Sequence, residues 1–89
     1  MSEVEVHIAP LLHSYTGGQR RVAAKGTTLG DVLDDLDRRF PGIRFRVVDE
    51  QGHARPHVRF FVNGEDTRSL AMELKTGDEI HVIGALSGG

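Results

Sequence analysis

Polar and apolar residues alternate through Glu3-Val4-Glu5-Val6-His7-Ile8, so Val4, Val6 and Ile8 share one face of an extended segment. This predicts a first strand, which Pro10 ends. Leu11 to Ser14 lead into Tyr15-Thr16-Gly17-Gly18, a turn signal whose glycines are free to take positive φ. Extended patterning resumes from Gln19 to Ala24, with Val22 and Ala24 inward, so the two segments read as a β-hairpin with a long loop. After a break at Lys25-Gly26-Thr27 the period changes. Leu29, Val32, Leu33, Leu36 and Phe40 recur at helical spacing and make a single apolar stripe. Thr28 is a good N-cap with Asp31 at the capping-box position. Arg38 and Arg39 suit the negative end of the helix, and Pro41-Gly42 stops it. Gly30 costs the first turn about 1 kcal/mol relative to alanine, and close packing of the helix on a sheet is one explanation.

The stretch from Ile43 to His57 is less regular. Ile43, Phe45 and Val47 alternate with Arg44 and Arg46, which suggests a short strand, and Asp49-Glu50-Gln51-Gly52 is a turn. Val58 to Val62 is a strand ended by Asn63-Gly64, a strong reverse-turn pair. Leu70, Met72 and Leu74 are expected to pack around a short helical turn. Thr76-Gly77-Asp78 precedes the last strand, Glu79 to Ile83. A single helix with one stripe can bury it only against the apolar face of a sheet. The strand after a helix tends to lie parallel to one before it. The order therefore predicts an α+β, ubiquitin-like β-grasp, with a mixed sheet of four to five strands packed on one main helix. Residues 1–83 form the domain, and residues 84–89 form a flexible, extended C-terminal tail.

At 89 residues the chain makes one domain, since domains run from about 50 to 250 residues. Its net charge of -2 gives no general attraction to nucleic acid or to an anionic membrane. With Cys 0, disulfides, thiolate nucleophiles and Cys-based metal sites are all excluded. No apolar run reaches the roughly 18 residues of a membrane span, and the start of the chain is acidic where a signal peptide is basic. A cytoplasmic location is the expectation.

No residue pattern marks an active site. His53 and His57 flank Ala54-Arg55-Pro56, which cannot be a helix interior, so their spacing reads as an exposed loop and not as a metal site. His7 and His81 sit at outward strand positions and His13 in a loop, and none needs a role. Ser14, Ser69 and Ser87 have no nucleophile-elbow glycines around them, and Gly17-Gly18 lacks the lysine of a phosphate-binding loop. Asp34-Asp35 reads as a solvated helix face. Arg38, Arg39, Arg44 and Arg46, with Arg55 and Arg59, form a basic segment suited to an acidic partner; no stacking-aromatic pattern points to RNA.

The tail remains. Gly84 to Gly89 carries no charged side chain and can extend by roughly 20 Å. Gly88 and Gly89 lack a Cβ, so the backbone can thread a channel closed to other residues. The Gly89 carboxylate is then the reactive group, and another protein carries out the reaction. Leu86 and Ser87 would thread behind Gly88, while Phe61, Ile83 and Leu86 would form an exposed apolar docking patch beside the reactive end.

The chain resembles the sulfur-carrier family of the molybdopterin synthase small subunit and the thiamine-biosynthesis carriers. Within that family it looks most like the carriers of thiocarboxylate-dependent cysteine synthesis. The residues that carry the likeness are His13, Thr16-Gly17-Gly18-Gln19, Thr28-Leu29-Gly30, Val62-Asn63-Gly64-Glu65-Asp66, Gly77-Asp78-Glu79 and Gly88-Gly89. Gly84, where carriers often have proline, and Ser87, where alanine is frequent, depart from it. The resemblance implies a carrier without catalysis or bound cofactor of its own. A ubiquitin-activating-type adenylyltransferase/sulfurtransferase would use ATP and Mg to adenylate Gly89 and exchange AMP for sulfur. A downstream enzyme of the cysteine-synthase kind, or another sulfur-incorporating enzyme, would take the sulfur. It implies a monomer when free, with no nucleic-acid or membrane partner. The same tail also serves a molybdopterin synthase small subunit, or a ubiquitin-like modifier joined to target lysines.

Overall fold

The computed structural model describes residues 2–84. Strands β1 (Ser2–Ile8), β2 (Arg21–Gly26), β3 (Val58–Val62), β4 (Glu65–Thr67) and β5 (Glu79–Gly84) form one mixed sheet in the order β2-β1-β5-β3-β4. β1 pairs antiparallel with β2, from Ser2 opposite Gly26 to His7 opposite Arg21. β5 runs parallel to β1 and antiparallel to β3, and β3 also pairs antiparallel with β4. The expected parallel pairing across the helix is present, and β5 extends one residue beyond the predicted strand, through Gly84.

Helix α1 (Leu29–Arg39) covers one face of the sheet. Its Leu29, Val32, Leu33 and Leu36 are buried with Val4, Val6, Ile8, Val22, Ala24, Val58, Phe60, Val62, Ile80 and Val82 in one cluster. Both sequence periods therefore point into the same core. Phe40 is the C-cap and only partly buried, so the helical stripe ends one turn earlier than expected.

The first four amides of a helix have no partner within it. Here every one is satisfied. Leu29 N and Gly30 N donate to the carbonyls of Met72 and Leu70 at 3.0 and 2.9 Å, while the first bond within the helix runs from Val32 N to Thr28 O at 3.1 Å. Asp31 N donates to Thr28 Oγ1 at 3.2 Å, and the Asp31 carboxylate accepts from Thr28 N, which completes the capping box. Leu70, Met72 and Leu74 thus lie on a connection that runs across the start of α1, with one hydrogen-bonded turn between Ser69 and Met72.

Gly30 is explained by that connection and not by the sheet. A Cβ on Gly30 would lie 3.2 Å from Leu70 O. The close approach of helix to sheet occurs instead at Gly26, where a Cβ would lie 2.7 Å from the Val32 backbone nitrogen.

Two other expectations are corrected. Residues Ile43–Val47 form a short helix, α2, where alternation suggested a strand. Gly42 turns the chain at φ 95, and the Asp37 carboxylate accepts from Gly42 N and Arg44 N, both at 3.1 Å. Ile43 and Val47 then bury themselves at i, i+4, while Phe45 is 54% exposed.

Asp35 is the second correction, because it is no solvated face residue. Its side chain keeps 19% exposure and accepts from Lys25 N at 3.0 Å, fastening α1 to β2. Arg38 and Arg39 flank it at 2.8 and 3.3 Å. Desolvation pushes its carboxyl up, but the Lys25 amide and the two guanidinium groups together hold it below the ordinary value. A depressed folded-state pKa gives stability that is present above the unfolded value and lost as pH falls through the folded one. Asp35→Asn is therefore expected to lower stability by about 1 kcal/mol near neutral pH, the ordinary worth of a partly solvated charge-assisted bond. The deficit should shrink in acid well below 3.8, the usual carboxylate value. Urea unfolding of both chains at the two conditions checks it.

Candidate functional site

Leu86, Ser87, Gly88 and Gly89 lie outside the described residues. What the structure defines is the surface from which they continue. β5 occupies the centre of the sheet, with Gly84 opposite Val58 and Ile83 opposite Arg59. A Cβ on Gly84 would fall within 1.9 Å of Leu11 Cδ2, so the Leu11 side chain fills the space over the last strand residue. A proline there would require Leu11 to move, which gives the departure at Gly84 a local structural partner.

Alternation along β3 and β5 sends Val58, Phe60, Val62, Ile80 and Val82 into the core. It places Arg59, Phe61, Glu79, His81 and Ile83 on the opposite face. Ile83 is 47% exposed, one of the large apolar side chains left open to solvent, and Phe61 is half-buried opposite His81. Ile83 and Phe61 are diagonal neighbours in that register, a separation that long side chains can span. Two members of the predicted patch are therefore on one face beside the start of the tail. Leu86, the third, lies outside the described residues.

Most residues of the family likeness serve as scaffold. A His13 ring nitrogen lies 3.0 Å from Ile8 O, and buried Thr16 donates from Oγ1 to Gln19 O at 2.9 Å. These bonds shape the β1–β2 loop, in which Gly17 and Gly18 take φ of 64 and 86. Asn63 and Gly64, at φ 51 and 87, make the tight β3–β4 turn. Asn63 Nδ2 donates to Asp78 Oδ1 at 2.9 Å, and Glu79 N donates to Asn63 Oδ1 at 3.0 Å. The Lys75 amide and Asn63 side chain hold the Asp78 carboxyl below its ordinary value. The motif thus ties the hairpin turn to the entry of β5 and sets the register of the strand that leads to the tail.

The arginine-rich segment is largely paired within the chain. Arg38 and Arg39 meet Asp35, Arg44 lies 2.8 Å from Asp34, and Arg59 lies 2.8 Å from Asp66. Arg55 donates to Phe45 O at 2.7 Å and lies 4.6 Å from the Phe45 ring centre. These contacts reduce the free positive charge that an acidic partner would meet.

One arrangement escaped the reading of single strands. His7 and His81 stack face to face with ring centres 4.1 Å apart, bordered by Glu5 and Glu79. Among the described residues, no helix is long and apolar enough to cross a membrane.

A five-stranded mixed sheet on one main helix, with the last strand central, defines the ubiquitin-like class. Residues 8–89 match the ThiS family, and the chain belongs to that family. The sulfur carrier protein CysO of Mycobacterium tuberculosis is 38% identical over 91 aligned residues, covering 97% of this chain and 98% of the relative. A chain of the BexX/CysO complex from Amycolatopsis orientalis superposes with a TM-score of 0.88 at 36% identity, covering 97% of this chain and 99% of the other. Small archaeal modifier protein 3 of Haloferax volcanii is 35% identical over 65 residues, covering 70% of each chain. The β-grasp fold and the resemblance to ubiquitin-like sulfur carriers are both borne out.

Proposed function

We propose that this protein is a sulfur carrier whose reactive group is the Gly89 carboxylate, acted on by partner enzymes and not itself catalytic. One carboxylate oxygen attacks the α-phosphorus of ATP and expels pyrophosphate, giving an acyl-adenylate on an activating enzyme that supplies the Mg site. A sulfide equivalent then attacks the acyl carbon and expels AMP, leaving a terminal thiocarboxylate. Adenylation is needed because a carboxylate is a poor electrophile with no leaving group. The thiocarboxylate sulfur is in turn a soft nucleophile for a sulfur-incorporating enzyme, of the cysteine-synthase kind or related. Gly88 and Ser87 admit the end to narrow active sites because they add little bulk. The reading places the protein in the cytoplasm.

The observation that carries this is the family match running through residue 89, together with near end-to-end similarity to a sulfur carrier. The test is intact mass after incubation with ATP, Mg, a sulfide donor and an activating enzyme of the family. Replacement of one terminal oxygen by sulfur, located to the C-terminal peptide, is expected. An unchanged mass with an enzyme that modifies a CysO control overturns the proposal.

Phe61 and Ile83, with Leu86, are the proposed docking surface for the activating enzyme. Ile83→Asp puts a charge into a contact that must desolvate, so it is expected to raise KM for the carrier about tenfold. The turnover at saturation should hold, since the reacting atoms are untouched. Steady-state adenylation against carrier concentration checks this, and a loss confined to kcat argues against docking here.

Likeness to small archaeal modifier protein 3 favours a second reading, conjugation of the Gly89 acyl group to lysines of other proteins. Persistent high-mass conjugates carrying the chain in cells would support it over sulfur delivery.

A further inference from the structure

Strands β1 and β5 each carry the same tripeptide pattern, Glu-apolar-His: Glu5-Val6-His7 and Glu79-Ile80-His81. Their parallel register sets Glu5 beside Glu79 and His7 beside His81. The apolar middle residues, Val6 and Ile80, are both fully buried, so all four polar side chains are forced to the opposite face. The result is a square of two imidazoles and two carboxylates in the middle of the sheet, away from α1.

The donors converge. His7 Nε2 lies 3.0 Å from Glu5 Oε1 and 3.4 Å from Glu79 Oε1, and His81 Nε2 lies 3.8 Å from Glu79 Oε1. Ligand atoms of His7, Glu79 and His81 all lie within 4.8 Å of one another. Ligands about 2.0–2.1 Å from a tetrahedral ion are spaced by roughly 3.3 Å, so these separations are near the edges of such a shell. His7 Nε2 is shut off from solvent yet makes no aligned hydrogen bond, although both carboxylates are close. A cation in this place would meet the ring nitrogen and the carboxylates together. Arg21 approaches Glu5 at 3.8 Å but remains 67% exposed, so it competes only weakly for that carboxylate.

We propose that His7, Glu79 and His81, with Glu5 beside His7, form a binding site for one divalent transition-metal ion of the zinc class. Imidazole and carboxylate together suit that class, whereas calcium and magnesium take all-oxygen shells. The rings now lie parallel within 7°. Coordination turns the rings toward a common point and opens the stack, which the exposure of His7 at 25% and His81 at 41% allows. The test of the site does not depend on the Gly89 chemistry.

Calorimetric titration of the full chain with zinc chloride near neutral pH is expected to show one ion per chain. His81→Ala and Glu79→Gln should each weaken binding about tenfold or more, since even outer-shell losses at metal sites reach that size. The double variant His53→Ala/His57→Ala should bind as the unsubstituted chain does. Nitrogen-detected NMR should show the His7 and His81 ring signals moving with added zinc, even if His7→Ala fails to fold. No binding, or binding that survives His81→Ala and Glu79→Gln but is lost with His53 and His57, overturns the proposal.

Discussion

Deleting Gly89 is expected to leave a chain that folds as before and loads sulfur far more slowly. Among the described residues, the core and the strand pairings lie at or before Gly84, so removal of the last residue breaks none of those contacts. The new end, Gly88, still has a carboxylate, which makes the comparison informative. That carboxylate is drawn back by about 3.3–3.6 Å, one extended residue, in an active site that holds the end at a fixed depth. A misplacement of about 1 Å can already cost roughly a hundredfold in rate. Sulfur loading should therefore fall by at least about that factor. Intact-mass measurement over a time course reads the result, with circular dichroism to confirm the fold. Loading of the shortened chain at the original rate would show that Gly89 is not the acceptor. Gly89→Ala keeps the length and adds only a Cβ, so it should fall between the two.

Phe60→Ala should give the largest loss of stability in the domain. Phe60 is fully buried at 0% exposure, from a central position on β3 between β5 and β4. Replacing a buried phenylalanine by alanine costs about 3–5 kcal/mol, through lost transfer energy and the cavity left behind. A domain of this size holds only about 0.05–0.15 kcal/mol per residue in total, so the variant loses a large part of its margin. The neighbouring Phe61→Ala changes the same side chain on the opposite face and should cost about 1 kcal/mol. Guanidinium unfolding of both variants separates them by their midpoints. Equal losses would contradict the assignment of the two faces.

The main frame of the fold was readable because each element has a single period. Val4, Val6 and Ile8 alternate, Leu29 to Leu36 recur at helical spacing, and one helix leaves one way to cover the sheet. Ile43–Val47 misled because a run of five residues with apolar positions 43, 45 and 47 satisfies a strand as well as one helical turn. What decides it is the Asp37 carboxylate reaching back from α1, a contact between elements that no local pattern carries. The roles of Gly30 and Asp35 are hidden from the sequence for a similar reason. Their partners, Leu70 and Lys25, come from other segments. For the site, Phe61 and Ile83 were placed on the outer face by alternation alone, while Leu86 to Gly89 lie outside the described residues. The His7–His81 pair needed the register of β1 against β5, the first strand against the last, which neither strand states by itself.

The central place of β5 also bears on how the protein is made. Until residues 79–84 emerge from the ribosome, β1 and β3 have no neighbour on their facing edges, and the core lacks Ile80 and Val82. Such long-range closure comes late in folding and leaves earlier chains aggregation-prone. A translation product cut short before Glu79 would therefore go to the proteases. Synthesis through β5 and passage of cellular quality control are thus linked.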